Sequence, residues 1–160
     1  MPSETPGRLI EVKTKFHSEA LKPGGIARSG AHMAAVRSVA ALKAQVEQQL
    51  DTCIAPLAET LRNWPAPDVA KACEQAAQIR DTAGLADMHL LTEVAMHSFD
   101  CLDAVLIDGA TMERAEAVCY ADALIFARQN RGTNIEPFLP LLKDLESLTT
   151  LVISRNRKTA

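Results

Sequence analysis

The chain has 160 residues, 48% of them hydrophobic and only 4% aromatic, with a net charge of −3. This length corresponds to one domain with a substantial core, and apolar content carried by Ala, Leu and Val is typical of helical cores. Residues 1–33 hold five basic and three acidic residues, so their net charge is +2 and the remainder carries −5. This balance argues against a nucleic-acid-binding body.

Apolar runs and cysteine spacing bear on the cellular compartment expected for the chain. No run approaches the roughly 18 apolar residues of a membrane span, and the N-terminus lacks the apolar segment of a secretory signal. The four cysteines are widely spaced, without a C-x-x-C motif, and each falls in a different helical segment. We therefore expect them to be reduced core residues of a cytoplasmic protein. They are Cys53, Cys73, Cys101 and Cys119.

Residues 1–33 are rich in proline and glycine, which predicts a flexible N-terminal arm. Within the arm, residues 9–16 alternate between apolar and charged side chains as a strand does, yet the chain offers no partner strand. The segment is therefore interpreted either as part of a disordered tail or a segment that lies on the body of the protein, or as a docking segment that adds to the sheet edge of another protein.

From Met33 the apolar residues repeat at three and four positions, which predicts a first helix over about 31–63. Pro56 lies inside this helix and is expected to kink it, because proline removes a backbone hydrogen bond. A helix of this length could also extend past a bundle and pair with a second copy, so a homodimer through the first helix is one expectation.

Four further helices are predicted over about 67–83, 87–107, 111–130 and 137–154. Asp68 or the preceding proline is expected to start the second helix, Gly84 to end it, and Asp87 and Thr111 to cap the next two. Short connections between amphipathic helices favour antiparallel neighbours. The sequence thus predicts an all-α domain over 34–155, an antiparallel four-helix bundle with an additional C-terminal helix, followed by a frayed basic tail over 156–160.

The second predicted helix carries the segment Gln75–Leu85, which resembles the centre of a histidine-phosphotransfer (HPt) domain. In that family a phosphoryl-accepting His is followed by Lys or Arg three residues later and Gly four residues later, then by small residues and a second Gly. Arg80 and Thr82–Leu85 fit this pattern. Ala77 occupies the place of the His, and Asp81 occupies the place of the first Gly.

The resemblance covers about residues 34–130 and implies an HPt-like bundle that lacks the phosphoryl acceptor. A helical wheel places Ala77 on the exposed edge of the second helix, one turn from Asp81, whose carboxylate would repel a phosphoryl group. We therefore expect a non-catalytic bacterial signalling adaptor that docks a response-regulator receiver domain or a histidine kinase. The expected docking residues are Ala70, Glu74, Ala77, Arg80, Asp81 and Gly84.

Two alternatives remain open at this point. His89 and His97 are both predicted to be exposed on the third helix, so the chain could be an active phosphotransfer protein that uses one of them. The other alternative is a structural or oligomerising helical bundle with no signalling role. No enzyme motif and no His or Cys spacing for a metal site is present in the sequence, so we expect no catalytic residue, metal or cofactor.

Overall fold

A computed structural model describes residues 28–156, and these contain helices without β-strands. Five α-helices follow one another in this range, with a 3₁₀-helix at Gly84–Ala86 and another at Glu136–Phe138. The α-helices are α1 (Arg28–Arg62), α2 (Val69–Ala83), α3 (His89–Asp108), α4 (Arg114–Gln129) and α5 (Leu139–Asn156). The prediction of an all-α chain is confirmed for this range. The predicted arm segment 9–16 lies outside the described residues.

The described residues divide into two units, 28–39 and 40–156, with the boundary inside α1. In the first unit, the side chains described, those of residues 30–39, are all exposed. The second unit holds the hydrophobic core, to which α1 contributes from Leu50 to Leu61.

Helix α3 contributes to the core along its whole length, since it packs against α2, α4 and α5. Its neighbouring residues Leu90 and Leu91 are both buried, as are Cys101 and Leu102, although adjacent side chains point about 100° apart on a helix. A helix that buries such a wide arc must be covered by neighbours on more than one side. This explains why its sequence is richer in leucine, valine and alanine than a one-sided surface helix requires.

The helices that cover α3 present small side chains to the core. Many of the buried positions on α2 and α4 are alanines, so the helix axes can approach closely. Close approach retains van der Waals contact without large side chains. The buried alanines are Ala72, Ala76 and Ala83 on α2 and Ala117, Ala121, Ala123 and Ala127 on α4. The low aromatic content of the sequence is therefore compatible with a close-packed interior.

The ends of α2 agree with the sequence prediction. The Asp68 carboxylate accepts a hydrogen bond from the Lys71 backbone N–H at 2.9 Å and so caps the first turn. Gly84 follows the last residue of α2, as predicted, but it keeps a right-handed helical conformation (φ −61°) and leads directly into the 3₁₀-helix. Helix α2 therefore ends by tightening rather than by a left-handed glycine turn.

Two predicted caps are wrong. Asp87 adopts a left-handed conformation (φ 57°) at the end of the 3₁₀-helix, and its carboxylate pairs with Lys43 instead of capping α3. Thr111 lies before the start of α4, where Glu113 is the N-cap residue and its backbone N–H donates to the Glu116 carboxylate at 2.8 Å. The hydrogen bond between Glu113 and Glu116 is part of a capping box, in which side chains of the helix itself accept hydrogen bonds from its first N–H groups.

A buried chain of hydrogen bonds joins α3, α4 and α5. The Thr149 hydroxyl donates to the Leu145 carbonyl at 2.8 Å, so its single proton is used there and it must accept from the Tyr120 hydroxyl, also at 2.8 Å. The Tyr120 oxygen then accepts from the Cys101 thiol at 2.9 Å. Burial raises the pKa of both Tyr120 and Cys101, which keeps the chain neutral.

We predict that Thr149→Val lowers the free energy of unfolding by about 1–3 kcal/mol, because the buried Tyr120 hydroxyl loses its acceptor. Thr150→Val is the matched control, since Thr150 lies on the same helix with its side chain exposed. Urea unfolding followed by circular dichroism measures both variants. Equal stability of the two variants would contradict a contribution from the buried chain.

Glu116 carries a second, charged connection between α4 and α5. Arg155 donates to both of its carboxylate oxygens at 2.7 Å, and Glu116 is only 9% exposed. Burial alone would raise the pKa of Glu116, but the hydrogen bonds from Arg155 and from the Glu113 N–H, with the Arg155 charge, outweigh burial and hold this pKa below its usual 4.5. The ionised carboxylate is therefore the form that the fold stabilises.

A depressed pKa in the folded state contributes stability above the unfolded-state pKa, and this contribution is lost as the pH falls through the folded-state pKa. We predict that Glu116→Gln is less stable than the wild type by about 1–3 kcal/mol at pH 7. The difference should shrink below pH 4.5. Urea titrations at pH 7 and below pH 4.5 measure the difference in the free energy of unfolding. Glu146→Gln, on the exposed side of α5, is the control. A difference that is unchanged in acid would count against the ion pair.

Candidate protein-docking face

The predicted docking residues lie along one side of α2 and its C-terminal turn. Ala70, Glu74, Asp81 and Gly84 are exposed, as expected. Ala77 is half-buried rather than fully exposed, because α3 packs along α2 and covers part of this edge. The docking face, defined as these five residues with Arg80, is therefore a shallow strip of small side chains bordered by charge.

Arg80 is held in place by two neighbours. Its guanidinium lies 4.4 Å from the centroid of the Phe99 ring of α3, and its Nε donates to the Asp81 carboxylate at 2.8 Å. The hydrogen bond from Arg80 lowers the pKa of Asp81, and the same bond raises the pKa of Arg80. Arg80, the one cation of the segment Gln75–Leu85, is thus paired within the protein.

Acidic side chains lie close to Arg80 and Cys73 on this side of α2. Glu74 and Asp81 stand on α2, and the half-buried Asp100 and Asp103 of α3 act on the same region. Asp100 contributes to the raised pKa of Arg80, and Asp103 adds to burial in raising the pKa of the Cys73 thiol. A phosphoryl group at this face would be opposed by these carboxylates.

Gly84 lies at the C-terminal end of the docking face, and the backbone conformation there does not require a glycine. Its φ of −61° suits any residue, and a Cβ placed there would have Thr92 Oγ1 at 3.9 Å as its nearest neighbour. The glycine is therefore explained neither by a turn nor by crowding within the chain. Its absence of a side chain keeps the C-terminal end of the docking face flat.

The two histidines occupy different environments. His89 is exposed, as predicted, at the start of α3 beside Asp87. His97 is half-buried, which corrects the predicted exposure: α5 packs over it, and its Nδ1 lies 3.5 Å from the Thr149 hydroxyl oxygen. His97 also lines a surface cleft of about 510 Å³ between α3 and α5, together with Lys143 and other residues. They are Glu93, Met96, Leu139, Leu142 and Glu146.

A groove between α4 and α5 was not predicted from the sequence. Its volume is about 420 Å³ and its lining is mostly apolar. It is lined by Cys119, Asp122, Ala123, Phe126, Leu141, Asp144, Leu145 and Leu148. Cys119 is exposed here, so its predicted place in the core is wrong, whereas the other three cysteines are buried and free as expected. The signal in the sequence is that Cys119 and Phe126 are two helical turns apart, outside the stripe that α4 buries.

Neither a metal site nor a membrane helix is found within the described residues. No group of three or more His, Cys, Asp or Glu side chains there could hold a metal ion. No helix in this range combines the length and apolar character needed to cross a bilayer. Comparison with protein-family models, curated proteins and solved structures gives no match to the chain.

The exposure of the cysteines leads to a direct prediction. Cys119 should react with a thiol reagent such as DTNB in the native protein, because Cys53, Cys73 and Cys101 are buried. Four thiols should titrate after unfolding in guanidinium chloride. In the Cys119→Ser variant the fast native reaction should disappear. Fast reaction of more than one thiol in the native protein would contradict the described core.

Proposed function

We propose that this chain is a non-catalytic adaptor of bacterial two-component signalling. It acts in the cytoplasm and docks a receiver domain or a histidine kinase through the α2 face without accepting phosphate. The observation that carries the proposal is the state of Arg80, which is stacked on Phe99 and paired with Asp81 next to an alanine in the acceptor position. The motif keeps its cation, but that cation serves the protein surface rather than a phosphoryl group.

The proposal includes an antiparallel four-helix bundle of the HPt type, formed by α1–α4, to which α5 is added. Ion pairs between α1 and α4 support opposite chain directions. Asp51 of α1 pairs with Arg128 of α4, and further along α1 Arg62 pairs with Asp122. The partner on α4 thus moves back from position 128 to position 122 as α1 runs forward. The connections from α2 to α3 and from α3 to α4 are also short, which favours antiparallel neighbours.

The docking face suits contact with a helix or a flat protein surface. Its central side chains are alanines, so a partner can approach the α2 backbone closely, and Phe99 under Arg80 gives the edge a rigid apolar support. The acidic residues around it favour a partner with basic side chains at the rim of the contact. Complementary charges at the rim of a contact with an apolar centre increase its specificity and its rate of association.

Charge reversal on the face tests the proposal. Purified receiver domains and kinase domains from the organism that encodes the chain are titrated against it by calorimetry. We predict that Asp81→Lys weakens binding of the cognate partner by about tenfold or more. Asp108→Lys, the same charge change at the exposed C-terminal end of α3, should change affinity by less than about twofold. Absence of any binding partner, or equal effects of the two variants, would refute the docking face.

The same receiver and kinase domains distinguish the docking function from active phosphotransfer through His89 or His97. The motivating observation is that His97 shares a surface cleft with Lys143, whose charge could neutralise a phosphoryl group. After incubation with phosphorylated partners, an acid-labile and base-stable phosphoryl group on the chain that is lost in His97→Ala or His89→Ala would replace the adaptor proposal with phosphotransfer. A helical bundle that binds neither class of partner would have a structural or oligomerising role instead.

A further inference from the structure

The groove between α4 and α5 is bounded by contacts that hold these two helices together. On one side along α4, the buried Tyr120 hydroxyl donates to the Thr149 hydroxyl of α5 at 2.8 Å. Towards the other end, the Phe126 ring packs in a T-shaped contact against Phe138, which immediately precedes α5, with 5.7 Å between the ring centroids. Because both contacts fix the separation of the helices, the groove is formed before any ligand binds.

The groove has an apolar floor and apolar walls. Ala123 and Leu145 are buried at its base, and the small side chain of Ala123 gives the groove depth. Leu141 and Leu148 are half-buried along it, and Phe126 is exposed at its edge. Its volume of about 420 Å³ lies within the range of about 300–1,000 Å³ that is typical of small-molecule sites. The groove therefore offers apolar contact to a body of ligand size.

The charged side chains on the lining of the groove are both carboxylates, Asp122 of α4 and Asp144 of α5. Arg62 donates to the Asp122 carboxylate at 2.8 Å, so Asp122 is already paired. Among residues 40–156, Asp144 makes no ion pair, and no basic side chain lines the groove. The lining thus leaves one carboxylate for a cation from outside, whereas an anion there would be repelled.

The length of the groove favours a small molecule over a bound helix. Tyr120 and Phe126, which take part in the two bounding contacts, are six residues or about 9 Å apart along α4. A helix bound in a groove is held by anchors spread over positions i to i+7, which requires a longer surface. A phenyl ring on a short alkyl chain fits the available length.

From these observations we propose that the α4–α5 groove binds a small hydrophobic amine. The apolar body of the amine fills the groove against Phe126 and the leucines, and its ammonium group pairs with the Asp144 carboxylate. The same apolar body with a carboxylate end group is a poor ligand, because the charge on the lining is negative. The site is independent of the proposed adaptor function, since it shares no residue with the docking face on α2.

Three probes with the same apolar body test the charge preference. Phenylbutylamine, phenylbutanol and phenylbutyrate are titrated against the full chain at pH 7, and protein NMR measures each Kd. The amine should bind saturably with a Kd of about 1 mM or lower, the alcohol about threefold more weakly, and the carboxylate most weakly. Asp144→Asn should reduce the affinity for the amine to that for the alcohol. Glu146→Gln, which removes an exposed charge from another side of α5, should preserve the preference.

The exposed thiol of Cys119 on the groove lining reports where the amine binds. Saturating phenylbutylamine should slow the reaction of Cys119 with the neutral disulfide dithiodipyridine by about fivefold or more. Phenylbutyrate at the same concentration should not slow it.

Several outcomes overturn the proposal. They are no saturable binding of the amine, equal affinity for the three probes, an unchanged preference in Asp144→Asn, and a loss of preference in Glu146→Gln as large as in Asp144→Asn. Unchanged Cys119 reactivity at saturating amine would place the amine elsewhere and overturns it as well. Protection of Cys119 that rises with protein concentration alone would assign the groove to a second copy. Protection by a helical leucine–lysine peptide but not by the amine would assign it to a protein partner.

Discussion

The burial of α3 on more than one side is the constraint on which the rest of the structure depends. Because α3 contacts α2, α4 and α5, its residues determine how each of those helices is held. Phe99 supports Arg80 on α2, and Cys101 bonds Tyr120 on α4. His97 lies against α5. A helix buried in this way tolerates little change of register, since every rotation would move polar side chains into the core.

The position of α5 is specified by polar groups as well as by apolar contact. Thr149 closes the buried hydrogen-bond chain, and Arg155 binds the carboxylate that also caps α4. Within the described residues, no buried side-chain polar atom lacks a hydrogen-bond partner. Apolar packing of leucines alone would allow α5 to slide by one turn at small cost, whereas a slide would leave Tyr120 and Glu116 unpaired in the interior. The fifth helix is thereby an integral part of the domain and not an appendage to four others.

Much of the helical framework was predictable because it depends on local signals. Apolar spacing and breakers place each helix within about three residues of its observed limits, and Asp68 acts as the expected cap. The errors arise where tertiary contacts decide. Asp87 pairs with Lys43 because the chain tightens into a 3₁₀-helix before α3 begins. A helical wheel assigns one buried side to a helix, so it places Cys119 outside the buried stripe of α4 but could not show that α5 covers His97.

The candidate site shows the same division between local and tertiary information. Its residues and their common side of α2 follow from the sequence, whereas the state of Arg80 does not. Whether that cation is available to a phosphate depends on Phe99, nineteen positions away along the chain, and on the choice of Asp81 as its hydrogen-bond partner. A cation that is already stacked and paired gains little from a further anion, because binding would have to compete with both existing contacts. These contacts of Arg80 support the proposed adaptor function, in which the face contacts a protein surface and accepts no phosphoryl group.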